Sequence, residues 1–387
     1  MSRPGVLAWP AVAGDVDVIV VRRAALWILL TTKLTAGWGL GWDIRWHVLI
    51  GRDSFWIAPH VLIYASVAVA VVVSLGVIAL ETRGVRGGYA PSGRTMRLTP
   101  GAIQLFGLVG TRGFHLAWLG MALVIVAAPI DDLWHRLFGP DVTLWSPPHL
   151  LGLLGAQVNT LACLLIAREA WPAGSRARAV AIVLATTFLF GTFAISVDPS
   201  WRIAFLHGGP WFFTWPVLAA LVFAFSHVLG ARLTGLRWAP IVVVLLGVVT
   251  QLSIGAVANA GFALIQPASS IREVLAADDG TSPIAVAHEM ARRNGTPIGG
   301  SWLPRIFPLL GAILITIVDA RRRPVAAALA FGVGLFAVAF PMMLRSRALA
   351  HVLPDPATAA AGAALTLAAA AAGGWLAARL ADRLVAR

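Results

Sequence analysis

The 387-residue chain has one cysteine, one lysine and few charges of any kind. Cys163, alone in an apolar stretch, excludes an intrachain disulfide and any cysteine-based metal site within one chain. Charged residues make up 12% of the sequence, against about 25% in soluble domains. No segment is both long and polar enough to form a separate soluble domain. A secretory leader is not expected either: Arg3 precedes a short apolar run broken at Pro10, and Asp15 and Asp17 follow before the first long apolar stretch. The pair His288-Glu289 opens like a zinc-protease motif, but position 292 is Arg, so that reading fails.

What remains is apolar: 59% of residues are hydrophobic, and the mean hydropathy is +0.82. A membrane-spanning helix needs about 20 such residues in a row. The pattern predicts an all-α, polytopic transmembrane bundle in one membrane domain, 1–387. Ten spans are expected near 18–42, 59–81, 113–131, 147–167, 178–197, 211–231, 238–259, 303–320, 324–343 and 357–379. The stretch 261–302 is expected as a long outer loop or as a short surface helix around Ile284–Arg292.

Assigning the loops alternately to two sides puts 19 arginines with 6 acids on one side, and 10 arginines with 11 acids on the other. Basic loops face the cytoplasm, so both termini are expected inside, in a bacterial cytoplasmic membrane. The net charge of +13 is then explained by topology and anionic lipid. The bilayer is the expected partner, and nucleic acid is not.

Two outward loops carry the same string. The first reads Asp43-Ile-Arg-Trp46-His47, then Gly51, Asp53, Trp56 and Ala58-Pro59-His60. The second reads Asp131-Asp-Leu-Trp134-His135, then Gly139, Asp141, Trp145 and Pro147-Pro148-His149. A third hairpin repeats Asp198-x-x-Trp201, but Arg202 stands in place of the histidine and Val217 follows Trp215-Pro216. The chain thus divides into duplicated hairpins (18–168), a degenerate third hairpin (178–231) and C-terminal helices (238–387).

Residues i and i+4 share a helix face, so Asp43 and His47 converge if the first span continues through them. Proline suits the first turn of a helix. Each Pro-His element therefore starts the next span, and the hairpin returns that histidine beside the aspartate. Asp43, His47 and His60 form one expected metal triad; Asp131, His135 and His149 form the other. Asp53, Asp132 and Asp141 are candidates to orient the histidines from behind. Carboxylate and imidazole suit copper, zinc or iron alike.

The spacing Asp43-x3-His47-x12-His60 resembles the metal motif in the C subunit of the copper membrane monooxygenases, the particulate methane and ammonia monooxygenase family. Asp131, His135 and His149 resemble that family's next motif, with Asp in place of Asn. The resemblance covers about residues 36–155 and implies copper as cofactor, partner membrane subunits or a homo-oligomer, and oxidation of a small apolar substrate. The last four spans have no counterpart, and no cupredoxin-like domain is present.

Simpler readings compete. The six paired residues serve equally as interfacial polar groups or helix caps, though duplication of the metal-competent positions favours ligands. His207 and His351 read as outer loop residues, His115 and His227 as packing residues, and Asp319 as an inner-face partner for Arg321–Arg323. Lys33 lies inside the first span, about 15 Å from Asp43 at 1.5 Å per residue, and is a candidate for an ion or proton path. Gln157 and Asn159 suit hydrogen bonds between helices. A transporter or metal-handling protein and a structural or assembly subunit are the alternative functions.

Overall fold

The computed structural model describes residues 18–51, 54–86, 102–138, 143–298 and 306–385. The first hairpin is α1 (Val18–Ile50) and α2 (Ala58–Arg86), and the second is α3 (Arg112–Phe138) and α4 (Pro147–Ala170). The third runs through α5 (Arg176–Val197), the short α6 (Ser200–His207), a 3-10 turn (Gly209–Phe213) and α7 (Thr214–Thr234). There follow α8 (Ala239–Ile265), the short α9 (Ile271–Ala276), α10 (Pro283–Asn294), α11 (Pro308–Val318), α12 (Pro324–Arg345) and α13 (Pro356–Val385). The partners in each hairpin lie against each other, α8 returns against α1 and α5, and α13 packs on α7 and α12.

Among the described residues, eight helices are long and apolar enough to cross a membrane. They coincide with eight of the ten expected spans, and the protein is a helical membrane protein. The other two expectations differ. The 18–42 stretch is part of α1, which runs 33 residues to Ile50 and has Arg22, Arg23, Lys33 and Asp43 interrupting its apolar run. The expected 303–320 span corresponds, among the described residues, to the eleven-residue α11. The surface helix expected around Ile284–Arg292 is α10.

One element was not anticipated from the sequence. Strands β1 (Ala102–Leu105) and β2 (Leu108–Thr111) pair antiparallel across Phe106 and Gly107, both at positive φ, the backbone that a two-residue hairpin turn demands. Thr82 of α2 docks this hairpin, accepting from the Val109 amide at 2.8 Å and donating to its carbonyl at 3.1 Å. At the same end the Arg22 guanidinium meets the Glu81 carboxylate at 2.7 Å, both buried. Glu169 of α4 accepts from the Gly113 amide at 3.2 Å, which satisfies a donor in the first turn of α3.

Two close helix approaches set the register of the metal-motif hairpins. A methyl group on Gly39 would lie 3.1 Å from the Pro59 carbonyl oxygen, so α1 touches the backbone of α2 just before His60. Thr35, one turn earlier, shares a 2.7 Å hydrogen bond with Ser66 of α2. Thr35, Gly39, Asp43 and His47 thus form one stripe at i, i+4, i+8 and i+12 facing α2. In the second hairpin Gly120 and Gly155 face each other: a methyl on either would sit 2.5–2.7 Å from the other's carbonyl oxygen. Asn159 strengthens the crossing by donating to the Ala117 carbonyl at 2.7 Å.

A side chain at the second crossing must push α3 and α4 apart. Gly155→Leu is expected to cost about 1–3 kcal/mol, as overpacked cores do, seen as a lower thermal transition in detergent. Gly76→Ala, where an added methyl meets nothing within 4 Å, is the control and leaves the transition in place.

Candidate metal centres

The helix α1 does continue through its motif, so Asp43 and His47 sit one turn apart, and α2 brings His60 to the same point. Asp43 Oδ1 lies 3.5 Å from His47 Nδ1 and 3.1 Å from His60 Nε2. In the second hairpin Asp131 Oδ1 lies 3.7 Å from His135 Nε2 and 3.3 Å from His149 Nε2. The imidazole centroids are 6.3 Å apart in the first centre and 6.2 Å in the second. Each hairpin thus brings its aspartate near both histidines, and among the described residues Asp131, His135 and His149 are the set whose ligand atoms all lie within 4.8 Å of one another.

The histidines delivered by the Pro-His elements are oriented by backbone carbonyls. His60 Nδ1 lies 3.1 Å from the Ser54 carbonyl oxygen, and His149 Nδ1 lies 2.8 Å from that of Thr143. In both centres the carbonyl is six residues before the histidine. A carbonyl only accepts, so Nδ1 carries a proton, and in the neutral imidazole Nε2 is then the lone-pair nitrogen on the side of the aspartate. Ser146 Oγ adds a second contact to His149 Nδ1 at 2.9 Å. His47 Nδ1, the nitrogen nearest Asp43 Oδ1, donates to the Asp43 carbonyl at 2.9 Å.

The donor set fits a cation. Asp43 Oδ1 and Asp131 Oδ1 are buried and accept no hydrogen bond, although imidazole nitrogens stand 3.1–3.7 Å away. A desolvated carboxylate oxygen left so is costly unless a positive charge compensates it. Ligands about 2.0–2.2 Å from one ion, at tetrahedral or octahedral angles, stand about 3.0–3.5 Å from each other, close to the aspartate–histidine separations of the second centre and to that of Asp43 and His60. One ligand atom from each of Asp131, His135 and His149 lies within 4.8 Å of the others. Three protein ligands with further positions open is the pattern of a reactive rather than a sealed site.

The flanking residues divide. Asp132 faces away and pairs with Arg136 at 2.6 Å, so it does not stand behind a histidine. Asp53 and Asp141 lie outside the described residues. Among the described residues, the carbonyls of Ser54 and Thr143 orient His60 and His149. No side-chain identity marks a carbonyl, so only the recurring six-residue offset could have revealed them.

Trp42 and Trp46 turn to the opposite side of α1 and pack on Phe262 of α8, with ring centroids 6.1 and 5.9 Å away. Beside His60 stands an aromatic group: Tyr64 is 5.8 Å from the imidazole and 4.9 Å from Phe55. Lys33 lies beside Cys163 of α4 and, among the described residues, makes no hydrogen bond or ion pair.

His351, His115 and His227 have partners outside both triads. His351 receives the Arg293 guanidinium at 3.0 Å and reaches the Phe205 carbonyl at 3.1 Å. His115 accepts from Trp118 at 3.3 Å, and His227 packs between Phe190 and Phe331. In the third hairpin Arg202 donates to the Thr281 carbonyl, and Trp201 lies 5.2 Å from Trp215. Asp319 pairs with Arg321 at 2.8 Å.

Comparison with family models, curated proteins and solved structures finds no match to this chain.

The contacts behind His149 generate a test. Outer partners of a ligating histidine are worth about 10–100-fold in metal affinity, and Thr143 remains when the Ser146 hydroxyl is removed. Ser146→Ala is therefore expected to weaken zinc binding at the second centre about tenfold, measured by competition with a chromogenic chelator.

Proposed function

We propose that this integral membrane protein binds transition-metal ions, copper foremost, in two Asp/His/His centres at the outer ends of its first two hairpins. The observation that carries the reading is the duplicated geometry. In each hairpin a buried aspartate oxygen faces two imidazoles, one with its far nitrogen pinned to a carbonyl six residues upstream. Interfacial polar residues or helix caps need no such shared focus. Zinc and non-haem iron suit the same donors; copper is favoured by the motif spacing, which resembles that of the copper membrane monooxygenases.

In this reading copper, when bound, supplies redox chemistry that side chains lack. The chain's own part is to fix the ligands and limit water. His47, His60 and His149 are oriented by backbone carbonyls, and one carboxylate oxygen of each aspartate is buried. A small apolar substrate has a route through lipid, because Ile130, Leu133, Leu137, Leu150 and Leu154 on α3 and α4 are exposed around the outer end of the second hairpin. Oxidation of such a substrate, alone or with partner subunits, is the activity proposed.

Elemental analysis of detergent-purified protein tests the metal directly. Wild type is expected to carry stoichiometric metal, with half lost in His47→Ala or in His135→Ala and all lost in the double variant. Wild-type protein devoid of metal after growth in copper-supplemented medium would sink the proposal.

A further inference from the structure

The two centres differ in what holds them. The last four carbonyls of a helix have no partner within it, and α1 ends with its ligand-bearing turn. A segment more than two hundred residues further along satisfies three of them. His288 of α10 donates Nε2–H to the Val48 carbonyl at 2.8 Å. Ser269 Oγ donates to the Leu49 carbonyl at 2.7 Å. The Ser270 amide and hydroxyl donate to the Ile50 carbonyl at 2.8 and 3.2 Å. Gly51 completes the cap at φ +74°, where an added methyl would lie 3.0 Å from Ile271 Cα.

The strap formed by Ser269–Asn294 is itself anchored. Asn294 Oδ1 accepts from Ser346 and from the Ala348 amide at 3.1 and 3.0 Å. The Arg293 guanidinium lies 4.9 Å over Phe205, and Arg202 donates to the Thr281 carbonyl. Within α10, hydrogen bonds from Arg292 and Arg293 hold the Glu289 carboxyl down to about 2. Its depressed value keeps those ion pairs above the ordinary carboxylate range, and they are lost only as pH falls through that low value.

The outer end of α3 is different. Leu133, Leu137 and Phe138 are 54%, 65% and 68% exposed, whereas Trp46 and Ile50 at the end of α1 are 7% and 8% exposed. The ligands follow the same order. Asp43, His47 and His60 are 13–15% exposed, and Asp131, His135 and His149 are 19–26% exposed.

We infer that the Ser269–Asn294 strap, through His288, locks the Asp43 centre as the retained metal site and leaves the Asp131 centre as the exchangeable one. His288 is a positioning residue: it touches the carbonyl next to His47 and no ligand atom. This inference rests on the metal reading above. It assigns the two centres different work, the second being where a metal or an exogenous ligand comes and goes.

Zinc-loaded protein in detergent, challenged with excess chromogenic chelator, separates the possibilities. Two release phases are expected, at least tenfold apart, the slow one missing in His60→Ala and the fast one missing in His149→Ala. His288→Ala is expected to accelerate the slow phase about tenfold and leave the fast one alone. His288→Gln, which retains a donor for Val48, restores it. Should His288→Ala fail to fold, Ser269→Ala makes the same test. Amide hydrogen exchange at residues 46–50, measured without metal, is expected to quicken in His288→Ala. A single release rate, assignment of the slow phase to His149, or unchanged release and exchange in His288→Ala would overturn the inference. Wild type that retains no zinc would instead overturn the metal reading beneath it.

Discussion

A carboxylate oxygen withdrawn from water and offered no hydrogen bond needs a positive charge close by. Asp43 and Asp131 both present this condition, and much of the surrounding architecture serves to keep it. The helix must run on past the apolar span to carry the aspartate and its i+4 histidine. The neighbouring helix must come within backbone contact to bring the second imidazole. Glycine at 39, 120 and 155 supplies that approach, because any larger residue there meets a carbonyl. Close contact through small residues is the ordinary means of helix association in lipid, where hydrophobic driving force between helices is absent.

Much of this was legible from residue order. The apolar runs mark eight spans, the i, i+4 spacing marks the aspartate–histidine turn, and the Pro-His pairs mark the starts of α2 and α4. These are local signals, set by helical period and by the fixed φ of proline. What was not legible is what depends on distant segments or on backbone atoms. The carbonyls of Ser54 and Thr143 have no residue type to announce them. Asp132 shares the motif's neighbourhood but lies on the wrong side of the turn, where Arg136 at i+4 claims it. The β-hairpin at 102–111 is short, and its turn relies on Phe106 at positive φ, a position where sequence rules look for glycine or asparagine.

His288 shows the same limit from another side. In sequence it belongs to a failed protease motif, and its neighbours Glu289 and Arg292 pair with each other. Its partner is the carbonyl of Val48, one residue beyond a candidate ligand, across more than half the chain. Helix capping by so remote a segment leaves no periodicity to detect. It is nonetheless one of the contacts that satisfy the last carbonyls of α1.

The degenerate third hairpin gains a meaning from this arrangement. Its Arg202 occupies the place where the other two copies have a candidate ligand histidine, and its side chain binds the Thr281 carbonyl on the way into α10. Phe205, one turn along, lies under Arg293 and accepts from His351. A histidine at position 202 would have left the strap without the Arg202 hold on Thr281. The lost histidine thus coincides with an anchor for the segment that caps the first centre. Of the three hairpins, the first has its outer end capped by the strap, the second leaves its outer end more exposed, and the third holds the strap.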